Sequence, residues 1–156
     1  MPERSVTHAT IVVERTYDAS PARVFAAWAD PEAKTRWFAG SDDWELTGYE
    51  LDFQVGGRER AASRPPGGPA HIYEARFQDI VPDQRIIFAY DMYLDETRIS
   101  VSLATVELEA ASAGTRLIYT EQGVFLDGHE APAERERGFG DLLDALEAEL
   151  RHEQGA

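Results

Sequence analysis

Two polar side chains lie on strand faces that alternation predicts to point towards the protein interior. His71 shares its strand parity with Tyr73 and Phe77, and Glu121 shares its parity with Tyr119. A histidine on an interior face could bind a ligand or act as a general base near neutral pH. A carboxylate that enters an apolar cavity would suit proton transfer or contact with a polar ligand. His71 and Glu121 are therefore the candidate catalytic residues.

Both residues also have an ordinary structural interpretation. His71 begins its strand beside a proline- and glycine-rich segment, where a histidine is commonly half-solvated. Glu121 could face outwards or pair with an arginine, because the apolar residues Ile118 and Val124 have the opposite strand parity. The sequence leaves both interpretations open for each residue.

Aromatic residues recur on the faces that are predicted to be internal. Aromatic walls with a few hydroxyl groups suit a flat or lipid-like ligand, although each ring taken singly could equally be core packing. The candidate ligand-binding residues are Trp37, Trp44, His71, Tyr73, Phe77, Tyr90, Tyr119 and Phe139.

The sequence indicates neither a metal nor a cofactor. It contains no cysteine, and its histidines do not form a His-Glu-x-x-His motif. His129 and Glu130 are adjacent, but no further ligand pattern accompanies them. Neither the phosphate-loop pattern Gly-x-x-x-x-Gly-Lys nor the Gly-x-Ser-x-Gly elbow is present.

Composition narrows the class of protein. The 156 residues are 43% apolar, which predicts one domain over 1–156 with a core at about 9–152. The formal net charge is −14, and a field of that sign repels nucleic acid phosphates. No apolar run approaches the ~20 residues that span a bilayer, and the N-terminus lacks a secretory signal. We therefore expect a cytoplasmic protein without nucleic acid partners.

Hydrophobic periodicity predicts one strand, two short helices, a run of strands and a long final helix. Ser20-Pro21 and Asp30-Pro31 each combine a capping side chain with a proline at the first helical position. The alternation slips phase at Gly48, which indicates a bulge, and again between Leu103 and Val106. The predicted strands are 10–17, 44–55, 58–64, 71–80, 85–93, 97–109 and 115–125.

The final helix is predicted over residues 131–152. Its apolar stripe comprises Phe139, Leu142, Leu143, Leu146 and Leu150. Two glycines flank Phe139, and each costs a helix about 1 kcal/mol relative to alanine, so close packing or a kink is expected there. The predicted fold is α+β: a curved antiparallel sheet that wraps around the C-terminal helix and encloses a cavity.

This order of elements resembles the SRPBCC superfamily, also called START-like or Bet v 1-like. Within it, the chain resembles the short bacterial form of the activator of heat shock protein 90 ATPase homologue family. The segments that carry the resemblance are Tyr17-Asp18-Ala19-Ser20-Pro21, Val24-Phe25-Ala26-Ala27-Trp28, Arg36-Trp37-Phe38, Phe53-Gln54-Val55-Gly56-Gly57-Arg58, Phe77-Gln78-Asp79-Ile80-Val81-Pro82, Arg85-Ile86-Ile87-Phe88, Gly114-Thr115-Arg116-Leu117 and Gly138-Phe139. Phe139 stands where the family usually has tryptophan.

The resemblance implies a helix-grip fold and several functions, since the superfamily includes lipid carriers, hormone receptors, polyketide cyclases and stress proteins. The leading hypothesis is binding of a small hydrophobic or aromatic molecule in the cavity. One alternative is a co-chaperone-like module that regulates a chaperone-like ATPase. Another is a cyclase- or hydrolase-like enzyme that uses a cavity acid or base. A monomer and a homodimer are both compatible with the sequence.

Overall fold

A computed structural model of the protein describes residues 4–39 and 43–154. This part of the chain forms one seven-stranded antiparallel sheet in the order β1-β7-β6-β5-β4-β3-β2. The strands are β1 (Val6–Tyr17), β2 (Glu45–Leu51), β3 (Arg58–Arg64), β4 (His71–Val81), β5 (Arg85–Leu94), β6 (Thr97–Ala111) and β7 (Gly114–Leu126). The helices are α1 (Pro21–Ala29), α2 (Pro31–Lys34) and α3 (Pro132–Gln154), and a π-helical turn (Thr35–Ala39) continues α2.

Both cap-and-proline signals mark helix starts. The Ser20 hydroxyl accepts a hydrogen bond from the backbone N–H of Arg23 at 3.3 Å, and Asp30 accepts one from the N–H of Glu32 at 3.2 Å. The α-helical part of the second helix ends at Lys34, where the backbone widens into the π-helical turn. No helix within the described residues is long and apolar enough to cross a membrane.

The sheet curves around α3, and the core fills the space between them. Phe88 and Leu117 on the strands are fully buried, as are Leu143 and Leu146 on the helix. Burying each such side chain stabilises the fold by about 1.5–3 kcal/mol. The predicted α+β helix-grip architecture is confirmed.

The two predicted phase slips have different outcomes. The pairing of β2 with β3 shifts between Leu46 and Gly48, so the bulge at Gly48 is confirmed. The predicted slip in β6 is wrong, because Ser102, Ala104 and Val106 form one continuous buried face. Polar Ser102 points inwards while apolar Leu103 points outwards, which inverts the usual pattern and misleads a reading of periodicity.

The two glycines of α3 also behave differently from each other. A Cβ atom at Gly140 would lie 3.1 Å from the Arg15 guanidinium of β1, so close packing against the sheet is confirmed there. A Cβ atom at Gly138 would meet no atom of the described chain within 4 Å. Gly138 therefore leaves open space beside the helix instead of allowing a close contact.

Candidate ligand-binding cavity and its ion-pair network

A cavity of about 310 Å³ lies between the first half of α3 and the strands β3, β4 and β5. The π-helical turn closes one side. Its lining residues are Phe38, Ala39, Trp44, Ala61, Ser63, His71, Tyr73, Tyr90, Met92, Glu130, Glu134, Arg135, Gly138, Phe139 and Leu142. The wall is therefore mainly aromatic and aliphatic, and its charged groups come from α3 and the residue range just before it.

Most rings of the aromatic wall pack against one another in one cluster. The ring centroids of Tyr73 and Tyr90 are 4.9 Å apart, and those of Phe38 and Tyr73 are 5.0 Å apart. Trp44 lies against the imidazole of His71 at 4.6 Å. Edge-on and tilted contacts of this kind add to the stability gained from burial, so the wall is held in place before any ligand arrives.

Arg135 organises the polar end of the cavity. Its Nε and one terminal nitrogen donate to the two carboxylate oxygens of Glu130, at 3.0 and 2.6 Å. The terminal nitrogens also donate to Glu121 at 2.8 Å, to the Tyr90 hydroxyl at 2.9 Å and to Ser100 at 2.7 Å. A guanidinium has five N–H donors, so all five are engaged within the protein.

Glu121 is the buried counterpart of Arg135, and its side chain is 0% exposed. One carboxylate oxygen accepts from the hydroxyls of Tyr90 and Tyr119, each at 2.7 Å. The other accepts from Ser102 at 2.6 Å and from Arg135 at 2.8 Å. Four donors fill its acceptor positions, so the carboxylate is fully hydrogen-bonded.

These contacts fix the ionisation of the groups around the carboxylate. Burial, followed by the charge of Glu121, raises the pKa of Tyr90 well above its ordinary value. Burial alone would lower the pKa of Arg135, but Tyr90, Glu130 and Glu121 raise it above its ordinary value instead. Arg135 is therefore a permanent cation, and Tyr90 is a neutral phenol.

A second buried ion pair supports the opposite side of the cavity. Lys34 of α2 donates to Glu59 of β3 at 2.8 Å, and both side chains are 0% exposed. Glu59 also accepts from the Tyr49 hydroxyl at 2.6 Å. The Lys34 ammonium lies 4.5 Å from the ring centroid of Phe38, a cavity residue. Burial lowers the pKa of Lys34, and the charge of Glu59 opposes that shift.

Four other polar residues of the wall make fewer hydrogen bonds within the protein than Arg135 does. They are Ser63, His71, Glu130 and Glu134. Ser63 and His71 are directly opposite each other in the β3–β4 pairing. Burial lowers the pKa of the half-buried His71, although the nearby charges of Glu130 and Asp95 act in the other direction. The imidazole is therefore neutral at pH 7.

The structure brings five of the eight predicted ligand-binding residues together on the wall: Trp44, His71, Tyr73, Tyr90 and Phe139. The other three lie behind it. Trp37 donates its indole N–H to the Ala27 carbonyl at 2.9 Å, and Tyr119 stacks on Phe139 with centroids 4.1 Å apart. Phe77 is 1% exposed within the core. Strand and helix periodicity identifies interior faces but does not separate cavity wall from core.

Glu121 points inwards, as its parity with Tyr119 indicates, and the predicted alternative of an arginine partner is also observed. An outward orientation is wrong, because neighbouring β6 turns Ser102 towards the carboxylate. Glu121 lies behind the cavity wall, so His71 and Glu121 do not converge as a catalytic pair on that wall.

Reasoning from the sequence misses Arg135, the residue at the centre of the site. Its position contained a usable signal, since Arg135 precedes Phe139 by four residues and so continues the apolar stripe of α3 by one turn. An arginine on a buried stripe requires a buried carboxylate partner. No group of three or more ligating side chains within the described residues could hold a metal ion.

A family model described as "Activator of Hsp90 ATPase homolog 1-like protein" matches residues 18–151. The chain belongs to this family. Membership confirms the resemblance seen in the sequence and is consistent with the SRPBCC superfamily. No curated protein matches the chain.

Solved structures agree with the family. The chain is 49% identical to an uncharacterized protein of Rhizobium leguminosarum. The superposition covers 96% of this chain and 99% of that one, with a TM-score of 0.92. The chain is 48% identical to a protein of Rhizobium loti, with 93% and 99% coverage and a TM-score of 0.86. An AHSA1-like protein of Aeromonas hydrophila is 22% identical, with 94% of each chain covered and a TM-score of 0.70, and shares the fold.

Proposed function

We propose that this protein binds a small hydrophobic or aromatic molecule in the cavity beside α3. The observation that carries the proposal is the wall itself, in which five aromatic rings and several aliphatic groups surround about 310 Å³. That volume is at the small end of the range for ligand sites. It suits a ligand of one or two fused rings better than a long acyl chain.

The ion-pair network favours binding over acid–base catalysis. A general base needs an unoccupied acceptor within reach of the substrate proton. Glu121 has four hydrogen-bond donors and lies behind the wall, so its part is to hold Arg135 and Tyr90 in position. A cyclase- or hydrolase-like activity that used His71 and Glu121 would need both side chains on the cavity wall, and only His71 lines it.

Family membership alone supports the co-chaperone-like alternative, with a chaperone-like ATPase as the partner. The cavity, by contrast, is a feature of this chain's own side chains. Ligand binding is therefore the function that its geometry supports best.

The test is a fluorescence titration with the uncharged dye N-phenyl-1-naphthylamine. We expect saturable binding at one site, and we expect Gly138→Leu to weaken it roughly tenfold or more, because the new side chain enters the open space beside Gly138 on the cavity wall. Leucine also favours a helix, so the variant should fold.

Arg137→Leu is the matched control, because it adds the same side chain at the next position of α3, which does not line the cavity. It should bind the dye as the parent protein does. Absence of saturable binding, or equal binding by the Gly138→Leu variant, would contradict the proposed function.

A further inference from the structure

We propose that the cavity selects uncharged or cationic aromatic ligands and excludes anionic ones such as aromatic carboxylates. This inference rests on the proposed function and names the chemical class of its ligand. It follows from where the charges of the wall are and from which of them are already paired.

The positive charge of the wall is not available to a ligand. Arg135 is the one lining residue within the described chain that carries a permanent positive charge, and its five donors are all engaged. Glu130 holds it in a two-bond fork, which is the geometry that a ligand carboxylate would also use. An anionic ligand would have to displace Glu130 and leave that carboxylate unpaired beside it.

Negative charge predominates around the cavity. Glu130 and Glu134 both line the wall, and Glu121 lies directly behind it. Two carboxylates therefore pair with the one guanidinium, and a third, that of Glu134, lines the same wall. The net charge of −14 for the whole chain adds a field of the same sign at longer range. Both contributions oppose the entry of an anion and favour a cation.

The groups left for ligand recognition suit a neutral or cationic partner. Beyond the backbone pairing of their strands, neither the Ser63 hydroxyl nor the ring nitrogens of His71 form a hydrogen bond to another residue of the described chain. Glu134 accepts only a long contact of 3.4 Å from the Ala131 N–H. The Glu134 carboxylate can only accept hydrogen bonds from a ligand hydroxyl or ammonium group, whereas the Ser63 hydroxyl and the neutral His71 imidazole each offer both an acceptor and a donor. The aromatic face of Tyr73 attracts a cation further.

Three probes of matched shape test the selection: 2-naphthylmethanol, 2-naphthylmethylammonium and 2-naphthoate. Each carries the same bicyclic ring, and they differ in charge. Isothermal titration should show binding of the alcohol and the ammonium, and binding of 2-naphthoate weaker by roughly tenfold or more. Equal or tighter binding of 2-naphthoate would overturn the inference while leaving the proposed function intact. Failure of all three probes to bind would contradict the proposed function itself.

Variants locate the origin of the selection. Glu130→Gln keeps a hydrogen-bonding partner for Arg135 but removes one wall charge, so it should narrow the gap between 2-naphthoate and 2-naphthylmethanol several-fold. Glu136→Gln removes the same charge from an exposed position of α3 away from the cavity and should leave the gap unchanged. Glu134→Gln also removes one wall charge, at a residue without an ion pair among the described residues, and should likewise narrow the gap. An unchanged gap in both wall variants would overturn the inference.

Discussion

Arg135 joins several parts of the molecule at a single side chain. Its guanidinium connects α3 to β7 through Glu121, to β5 through Tyr90 and to the segment before the helix through Glu130. The ring of Phe125 also lies 5.0 Å from the guanidinium carbon. A buried ion pair of this kind adds little net stability relative to apolar packing, but removal of one partner leaves the other unpaired in a medium of low polarity.

Arg135→Met should therefore lower the free energy of unfolding by about 3–5 kcal/mol, because Glu121 is left buried without its cation. Urea denaturation measures the loss. Glu121→Gln in the same background removes the stranded charge, so the double variant should lose less than the sum of the two single variants. Additive losses within about 0.5 kcal/mol would show that the two residues are not coupled.

Single residues show where sequence reasoning succeeds and where it stops. Tyr73, Tyr90 and Phe139 are placed on interior faces by alternation and helical spacing alone, since those periods fix which face a side chain occupies. Arg135 and Glu121 could not be paired in this way. Their contact joins a strand to a helix through the curvature of the sheet, and curvature has no local signature in the sequence.

At the scale of elements, most strand and helix signals predict the buried face correctly, because the local pattern agrees with the tertiary packing. The stripe of α3 and the alternation of β4 and β5 locate the buried faces directly. β6 shows the opposite case. Ser100 and Ser102 face inwards because they hydrogen-bond Arg135 and Glu121, so local polarity conflicts with tertiary position there.

Helix α2 shows another limit of periodicity. Its Lys34 is the single lysine of the chain, and a lysine on a four-residue helix is expected to be solvated. It is instead buried against Glu59 and the ring of Phe38. This pair attaches the helix and its π-helical turn to β3, which places Phe38 on the cavity wall. The paired glutamate lies 25 positions away, beyond the reach of local pattern.

At the scale of the whole molecule, five tyrosines link stability to alkaline pH. Burial raises the pKa values of Tyr17, Tyr49, Tyr73, Tyr90 and Tyr119 above the ordinary value of about 10. A raised pKa in the folded state contributes stability that is complete below about pH 10 and is lost as the pH rises further. The lowered pKa of Lys34 makes stability rise with pH instead, but only at pH values below the ordinary lysine pKa of 10.5.

The free energy of unfolding should therefore fall steeply between about pH 10 and pH 11.5, and tyrosinate absorbance should rise together with unfolding. Urea denaturation at a series of pH values measures the slope. Tyr17→Phe removes one of the five groups and should make the slope shallower by up to about 1.4 kcal/mol per pH unit. Stability that stays constant over this range would contradict the account of the buried phenols.

The central claim is that a small aromatic molecule occupies the space between the gripping sheet and α3. The three tryptophans of the chain report on it separately, because Trp44 lines the cavity whereas Trp28 and Trp37 are 1% and 2% exposed in the core. The most direct measurement is a ¹H–¹⁵N NMR titration with 2-naphthylmethanol that follows the three indole N–H signals. We predict a saturable shift of the Trp44 signal with little change at Trp28 and Trp37. A Trp44 signal that does not move at saturating probe, or equal shifts of all three signals, would contradict the claim.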